Sequence, residues 1–251
     1  MTANEMAIEL ELKLDRSSSF GSPGYEDFEL TSVLSEAERL YVKKYIDRKN
    51  NRKGESLEET EIRNQGLSAL IKRGATLPVS SDQTGVFTNG TFFDLPSDFM
   101  YTIHEEVLIN KILCTSEDTK IKAEVRVISH DEVSRLADNK YKKPYYKSYG
   151  KAMLWRLVFS RQVDGFNPSI VATAKRHQLV TDGTFAAVDY SINYLQNPKG
   201  IVVDKSIPAN QRNCILDDST HNVVIDIATS LMLERVREQE MRNIESFKDV
   251  E

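Results

Sequence analysis

The sequence predicts an α+β protein: an N-terminal helical hairpin and a long C-terminal helix packed together, with a β-rich middle region containing one short helix. Two observations carry the helical parts. Leu30, Val33, Leu34, Ala37, Leu40, Tyr41 and Tyr45 recur at helical spacing, as do Val223, Val224, Ile227, Ala228, Leu231 and Met232. The third is the texture past Pro78, where short runs of β-branched and aromatic residues alternate with turn-forming ones. The expected organisation is an arm and linker over 1–24, a hairpin over 25–75, a β-rich region over 76–212, and a C-terminal helix with a charged tail over 213–251.

The arm is read from "MTANEMAIELELKLDR", in which Ile8, Leu10, Leu12 and Leu14 alternate with Glu9, Glu11 and Lys13. Alternation predicts a strand. With "SSSFGSPG" at 17–24 as a flexible tether and no hairpin partner nearby, three outcomes stay open: strand addition to a neighbouring subunit, a strand on its own domain, or a disordered tail. The first helix then starts near Asp27. A second starts near Ser56, where Glu59 completes a capping box, carries Ile62, Leu67, Leu70 and Ile71 as its stripe, and stops at Gly74. The polar connection "NNRKGE" makes the pair antiparallel.

In the middle region, "GVFTNGTFFDLP" places Asn89-Gly90 between two short apolar runs and predicts a tight hairpin. The runs "FMYTIHEEVLI", "IKAEVRVI", "AMLWRLVFS", "SIVATAKRHQLV" and "YSINYLQNP" read as further strands. "SHDEVSRLADN" reads as a short helix with a capping box at Ser129 and Glu132. At the C-terminal helix, Asp217, Asp218 and Ser219 are the residue types that cap free amides, and the charged segment after Leu233 predicts an exposed end.

Composition narrows the function classes. A chain of 251 residues with 40% hydrophobic and 28% charged residues reads as globular, and a net charge of -5 argues against a surface built throughout to hold nucleic acid. No apolar run is long enough to span a bilayer, and the N-terminus lacks the continuous apolar stretch of a signal peptide, so neither membrane insertion nor secretion is expected. The two cysteines, Cys114 and Cys214, form no CxxC spacing. A reducing compartment is expected.

Chemical motifs are few. There is no GxxxxGK[ST], GxGxxG or GxSxG, and "HEEVL" has Leu108 where the zinc-protease motif needs its second histidine. His104, His130, His177 and His221 fall in different segments. No catalytic residue, metal ligand or cofactor is expected. Cys214, Asp217, Asp218, Ser219 and His221 are crowded enough to resemble an active site, yet helix initiation explains the acidic residues.

The strongest anomaly is "KYKKPYYKSYGK", with five lysines and four tyrosines in twelve positions: Lys140, Tyr141, Lys142, Lys143, Tyr145, Tyr146, Lys147, Tyr149 and Lys151. Lysines neutralise phosphates and tyrosines offer stacking faces, so non-specific nucleic-acid contact is one reading. An exposed loop, at a protein interface or simply solvated, has the same composition and is the preferred reading.

The order of segments "EDFELTSVLSEAERLYVKKYIDR", "FFDLPSDFMYTI", "VRVISHDEVSRLADNKYKKPYY", "INYLQNPKGIVVD" and "CILDDSTHNVVIDIATSLMLERV" resembles neck proteins of tailed bacteriophages. It is most similar to the head-to-tail ring, or adaptor, proteins of crAss-like phages, over about Tyr25 to Arg237. The resemblance implies a virion protein without catalytic residues, assembled in the host cytoplasm into a homo-oligomeric ring, usually of twelve copies. It also implies the portal protein and other neck ring or tail hub proteins as partners, and non-specific contact with DNA in the channel.

Overall fold

The computed structural model describes residues 1–17, 24–46, 65–81, 89–112, 121–147, 150–159 and 175–248. The chain divides into two units: Met1–Ile71 with Asn197–Glu251, and Lys72–Gln196.

The first unit is helical and built from both ends of the chain. Its opening segment corrects the strand expectation, since Ala3–Ser17 forms helix α1. Ala3, Met6, Ala7, Leu10 and Leu14 are buried, whereas Ile8 and Leu12 are 53% and 52% exposed. The alternating residues are therefore split between opposite faces of one helix, Leu10 and Leu14 inward, Ile8 and Leu12 outward. The helix is started by a reciprocal capping box: the Thr2 amide donates to Glu5 Oε2 at 2.8 Å, and the Glu5 amide donates to Thr2 Oγ1 at 3.3 Å.

Helix α2 spans Asp27–Ile46 and buries Leu30, Val33, Leu34, Ala37, Tyr41 and Val42. Leu40, expected inside, is 37% exposed. Ser35 Oγ donates to the Ile201 carbonyl at 2.8 Å, and the Val203 amide donates to Thr31 Oγ1 at 2.9 Å, fixing the 201–203 segment along this helix. Ser56, Glu59 and Ile62 of the expected second helix, and the "NNRKGE" connection, lie outside the described residues. The end of that expectation is corrected. After one short turn at Ser68–Leu70, Ile71–Thr76 is strand β1, and Gly74 sits within it at φ +66°, a conformation open to glycine, instead of stopping a helix.

The second unit is an eight-stranded sheet. Its remaining strands are β2 (Gly90–Asp94), β3 (Phe99–Lys111), β4 (Ile121–Val127), β5 (Tyr145–Lys147), β6 (Lys151–Phe159), β7 (Arg176–Val180) and β8 (Phe185–Gln196). The order is β1-β8-β3-β4-β6-β7-β2, with β5 added to β6. The β4–β6 pair is parallel; β2–β7, β3–β4, β3–β8, β5–β6 and β6–β7 are antiparallel. The ends of this order are joined by the chain that follows β1. Leu77 donates its amide to the Tyr190 carbonyl on β8 at 2.8 Å, while Ser80 donates to Phe92 at 2.8 Å and Asp94 donates to Pro78 at 3.1 Å on the β2 side. The curled sheet thereby closes on itself in the manner of a small barrel.

Phe93, Phe99, Ile109, Leu154, Leu179 and Phe185 belong to the core inside this curl. The opposite face of β6 and β7 carries Trp155, Leu157 and Val180, covered by Ile128, Val133 and Leu136. The last two belong to helix α3 (Val133–Ala137), the expected short helix, which lies in the crossover that the parallel β4–β6 pair requires. Its expected capping box does not form: Ser129 makes no side-chain cap, and Glu132 pairs with Arg135 at 2.6 Å. Asn89 adopts φ +66°, as a turn residue should, but the upstream run of its expected hairpin falls outside the described residues, and the neighbour of β2 is β7.

The chain re-enters the helical unit and ends in α4, Asp218–Lys248, which packs against α1 and α2. Its inward face comprises Thr220, His221, Val224, Ile225, Ala228 and Met232. Val223, placed inside by the sequence reading, is 42% exposed, so the face is rotated toward Ile225. Residues 233–237 are exposed, in keeping with a helix end that leaves the core.

Candidate functional site

The barrel interior holds a closed set of polar side chains that sequence reading did not identify. Glu105 on β3, Arg156 on β6, His177 on β7 and Tyr190 on β8 converge there. Arg156 Nε lies 3.1 Å from Glu105 Oε2, an ion pair without an aligned hydrogen bond. Arg156 Nη1 donates to Thr102 Oγ1 at 3.2 Å and contacts His177 Nε2 at 3.0 Å. A guanidinium can only donate, so His177 Nε2 accepts and the ring is neutral with its proton on Nδ1. That proton goes to Tyr190 Oη at 2.8 Å, and Tyr190 donates to Glu105 Oε2 at 2.9 Å.

The electrostatics agree with this assignment. Burial, then the Arg156 charge, hold His177 down at about 3. Burial raises the Glu105 carboxyl despite the opposing pull of Arg156, and burial also raises the Tyr190 phenol. Each of the four is joined to at least one other member, and Arg156 reaches outside the set to Thr102. The set locks four strands together and leaves no free nucleophile. One signal was available in the sequence: Arg156 interrupts the apolar run "AMLWRLVF", and a cation there needs a buried partner.

The crowded segment before α4 resolves into a helix entrance. Asp217 Oδ1 accepts the Ser219 amide at 3.0 Å and the Ser219 hydroxyl at 2.6 Å, which lowers its carboxyl below the usual range. Asp218 Oδ1 accepts the Met1 ammonium at 2.8 Å and faces His221 Nδ1 at 3.3 Å. His221 Nε2 donates to the Leu216 carbonyl at 3.0 Å. Cys214 Sγ instead faces the buried Glu38 carboxylate at 3.5 Å, and burial with that neighbouring charge pushes its thiol up to about 12. It is held as the thiol, the form that neither attacks carbonyls nor binds metal. Among the described residues no cluster of three or more His, Cys, Asp or Glu is placed to hold a metal ion, and no helix is long and apolar enough to cross a membrane.

The lysine and tyrosine segment divides into a turn and a hairpin. Lys140, Tyr141, Lys142 and Lys143 form an exposed turn whose Tyr141 is 93% exposed. Tyr145 and Tyr146 lie in β5, paired with Met153 and Ala152 of β6. They are partly buried, Tyr146 beside Phe185 at 6.0 Å and Tyr145 beneath the Lys147 ammonium at 4.9 Å. Lys151 is exposed at the start of β6, and Tyr149 lies outside the described residues. Of the arm residues, Leu10 and Leu14 are core and only Ile8 and Leu12 present a surface.

A family model described as phage tail ring protein 3/4 matches residues 1–243, taking in α1, which the sequence resemblance had left out. A protein of Bacteroides phage crAss001 named "Ring protein 4/5" is 26% identical over 203 residues, covering 80% of this chain and 75% of its own length. With the match spanning nearly every residue from α1 into the exposed end of α4, the chain belongs to the phage tail ring protein 3/4 family.

Proposed function

We propose that this chain is a ring subunit of the virion neck, joining the portal to the tail and extending the DNA channel, in a ring of twelve copies. The observation that carries the reading is the family match over residues 1–243. Support also comes from what the fold does with its reactive groups: the thiol of Cys214 is half-buried against Glu38, and Asp217 is committed to capping α4. Assembly takes place in the host cytoplasm, and the subunit acts without catalysis or cofactor. Mass spectrometry of purified, DNA-filled virions tests this directly. The chain is expected among the structural proteins, and its absence from the particle overturns the reading; imaging of the neck counts the copies and identifies the neighbouring rings.

A second reading, a DNA-binding or packaging accessory, draws on the exposed lysines of the turn. It requires salt-dependent retention of the purified chain on DNA that is lost when Lys140, Lys142, Lys143 and Lys147 are changed to Ala. The neck reading expects that substitution to leave DNA retention unaltered.

A further inference from the structure

Among the described residues, the turn at 140–143 and the outward face of α1 both present exposed side chains that the fold does not bury. We infer that they are the two halves of one contact between neighbouring copies of this chain, an inference that rests on the ring reading above.

The turn is built before any partner arrives. Asn139 Oδ1 accepts the Tyr141 amide at 3.0 Å, and the Asn139 carbonyl accepts the amides of Lys142 and Lys143, both at 3.1 Å. From beneath, Trp155 Nε1 donates to the Lys142 carbonyl at 2.9 Å, and Pro144 is buried. A turn held in this way loses little freedom on docking. It presents Tyr141, 93% exposed, among the exposed Lys140, Lys142 and Lys143. An aromatic ring fully in water within a rigid cationic frame suits an apolar surface rimmed by carboxylates.

The chain carries such a surface. Ile8 and Leu12 stand one helical turn apart on the side of α1 away from its buried stripe, 53% and 52% exposed. Glu5, Glu9 and Asp15 each lie three residues from one of them and so flank them on that side, Glu5 also capping the helix and Glu9 also lying 3.6 Å from Lys13. Neither apolar residue is needed for the helix to pack, because Met6, Leu10 and Leu14 do that from the opposite face. Tyr141 of one copy covers Ile8 and Leu12 of the next, with the turn lysines against the flanking carboxylates. Two different patches of the same chain meet, the heterologous geometry from which rings close. DNA is the weaker partner for the turn. Of the described tyrosines in this segment only Tyr141 is exposed, so among the described residues a single ring is offered for stacking.

The test places a photo-cross-linking amino acid at position 141, and separately at position 12, in phage propagated with a wild-type copy so that mixed rings assemble. Both sites are exposed, and neither substitution touches a core. The expected result is an adduct between two copies of the chain from each position, mapped by peptide sequencing to α1 from position 141 and to residues 138–143 from position 12. Copy-to-copy adducts that map elsewhere, adducts to DNA or to another virion protein, or no adduct from either position overturn the contact while leaving the ring reading in place. Absence of the tagged and wild-type chains from the virion overturns both. A charge reversal gives an independent readout. Lys140→Glu with Lys142→Glu and Lys143→Glu is expected to reduce incorporation into virions roughly tenfold, through the cost of like charges brought together. Glu9→Lys with Asp15→Lys in the same chain, which leaves the capping box of Thr2 and Glu5 in place, is expected to restore it. Unchanged incorporation of the triple variant, or no restoration, overturns the pairing.

Discussion

Tyr190 shows how much one hydroxyl holds in the barrel, since it accepts from His177 and donates to Glu105. Tyr190→Phe keeps the ring packing against Phe93 but leaves both partners short of a bond. The expected loss is about 1–3 kcal/mol in urea unfolding. His177 adds a pH dependence whose sign is fixed by its neutral state. Its folded value of about 3 lies below the ordinary 6.5, so its contribution is complete above pH 6.5 and is lost as pH falls toward 3. By pH 4 this amounts to about 3 kcal/mol. Glu105, raised by burial, works in the opposite sense, its contribution fading as pH rises, so the two are separated by substitution. The urea midpoint of the wild-type barrel is expected to fall between pH 6.5 and 4, and His177→Gln is expected to flatten that slope. Only a hint of this network was legible in the sequence, the charge of Arg156 within an apolar run. Its partners come from strands far apart in the chain, and no local pattern announces them.

At the scale of elements, the longer strands and the closing helix were legible because their apolar residues repeat locally, whereas β1 reads as the end of a helix and β5 as part of a loop. The arm was not legible either, and the reason is specific. Ile8, Leu10, Leu12 and Leu14 satisfy a two-residue period, but Ala3, Met6, Ala7, Leu10 and Leu14 satisfy a helical one, and Thr2 with Glu5 supplies the start signal. Glu, Lys, Leu and Met also favour helix intrinsically, so three local preferences agree against one. The helical assignment makes a sharp comparison possible. Leu10→Ala is expected to cost about 2–5 kcal/mol, while Leu12→Ala stays within about 0.5 kcal/mol, as measured by thermal or urea unfolding of the isolated chain. A strand with all four leucine-type positions on one face would make the two substitutions equivalent. At the far end of the same unit, Asp217→Ala is expected to lower the unfolding midpoint and Asp217→Asn to retain it. The cap needs only an acceptor oxygen for the Ser219 amide.

For the whole molecule, the order of elements matters more than any single one. The helical unit is assembled from α1 and α2 at one end of the chain and α4 at the other, and the barrel, Lys72–Gln196, is inserted between them. The insertion begins with β1 and ends with β8, neighbours in the sheet. Gly74 donates its amide to Asn193 Oδ1 at 2.8 Å and Leu77 donates to the Tyr190 carbonyl at 2.8 Å, contacts that run in opposite directions along the two strands. The entry and exit of the barrel are therefore side by side, the arrangement under which an inserted domain folds without its host. The core inside the curl, the polar set around Arg156 and the face covered by α3 all lie within 72–196. A fragment of these residues is expected to give a single cooperative urea transition, with strand-dominated circular dichroism and the acid sensitivity of the intact chain. The helical unit has the complementary requirement. Removing residues 1–17 strips α1 from α4, so that deletion is expected to leave the barrel transition unchanged while abolishing the helical one. If the fragment fails to fold while the full chain does, barrel stability depends on the helical ends and the division into two units is not an energetic one.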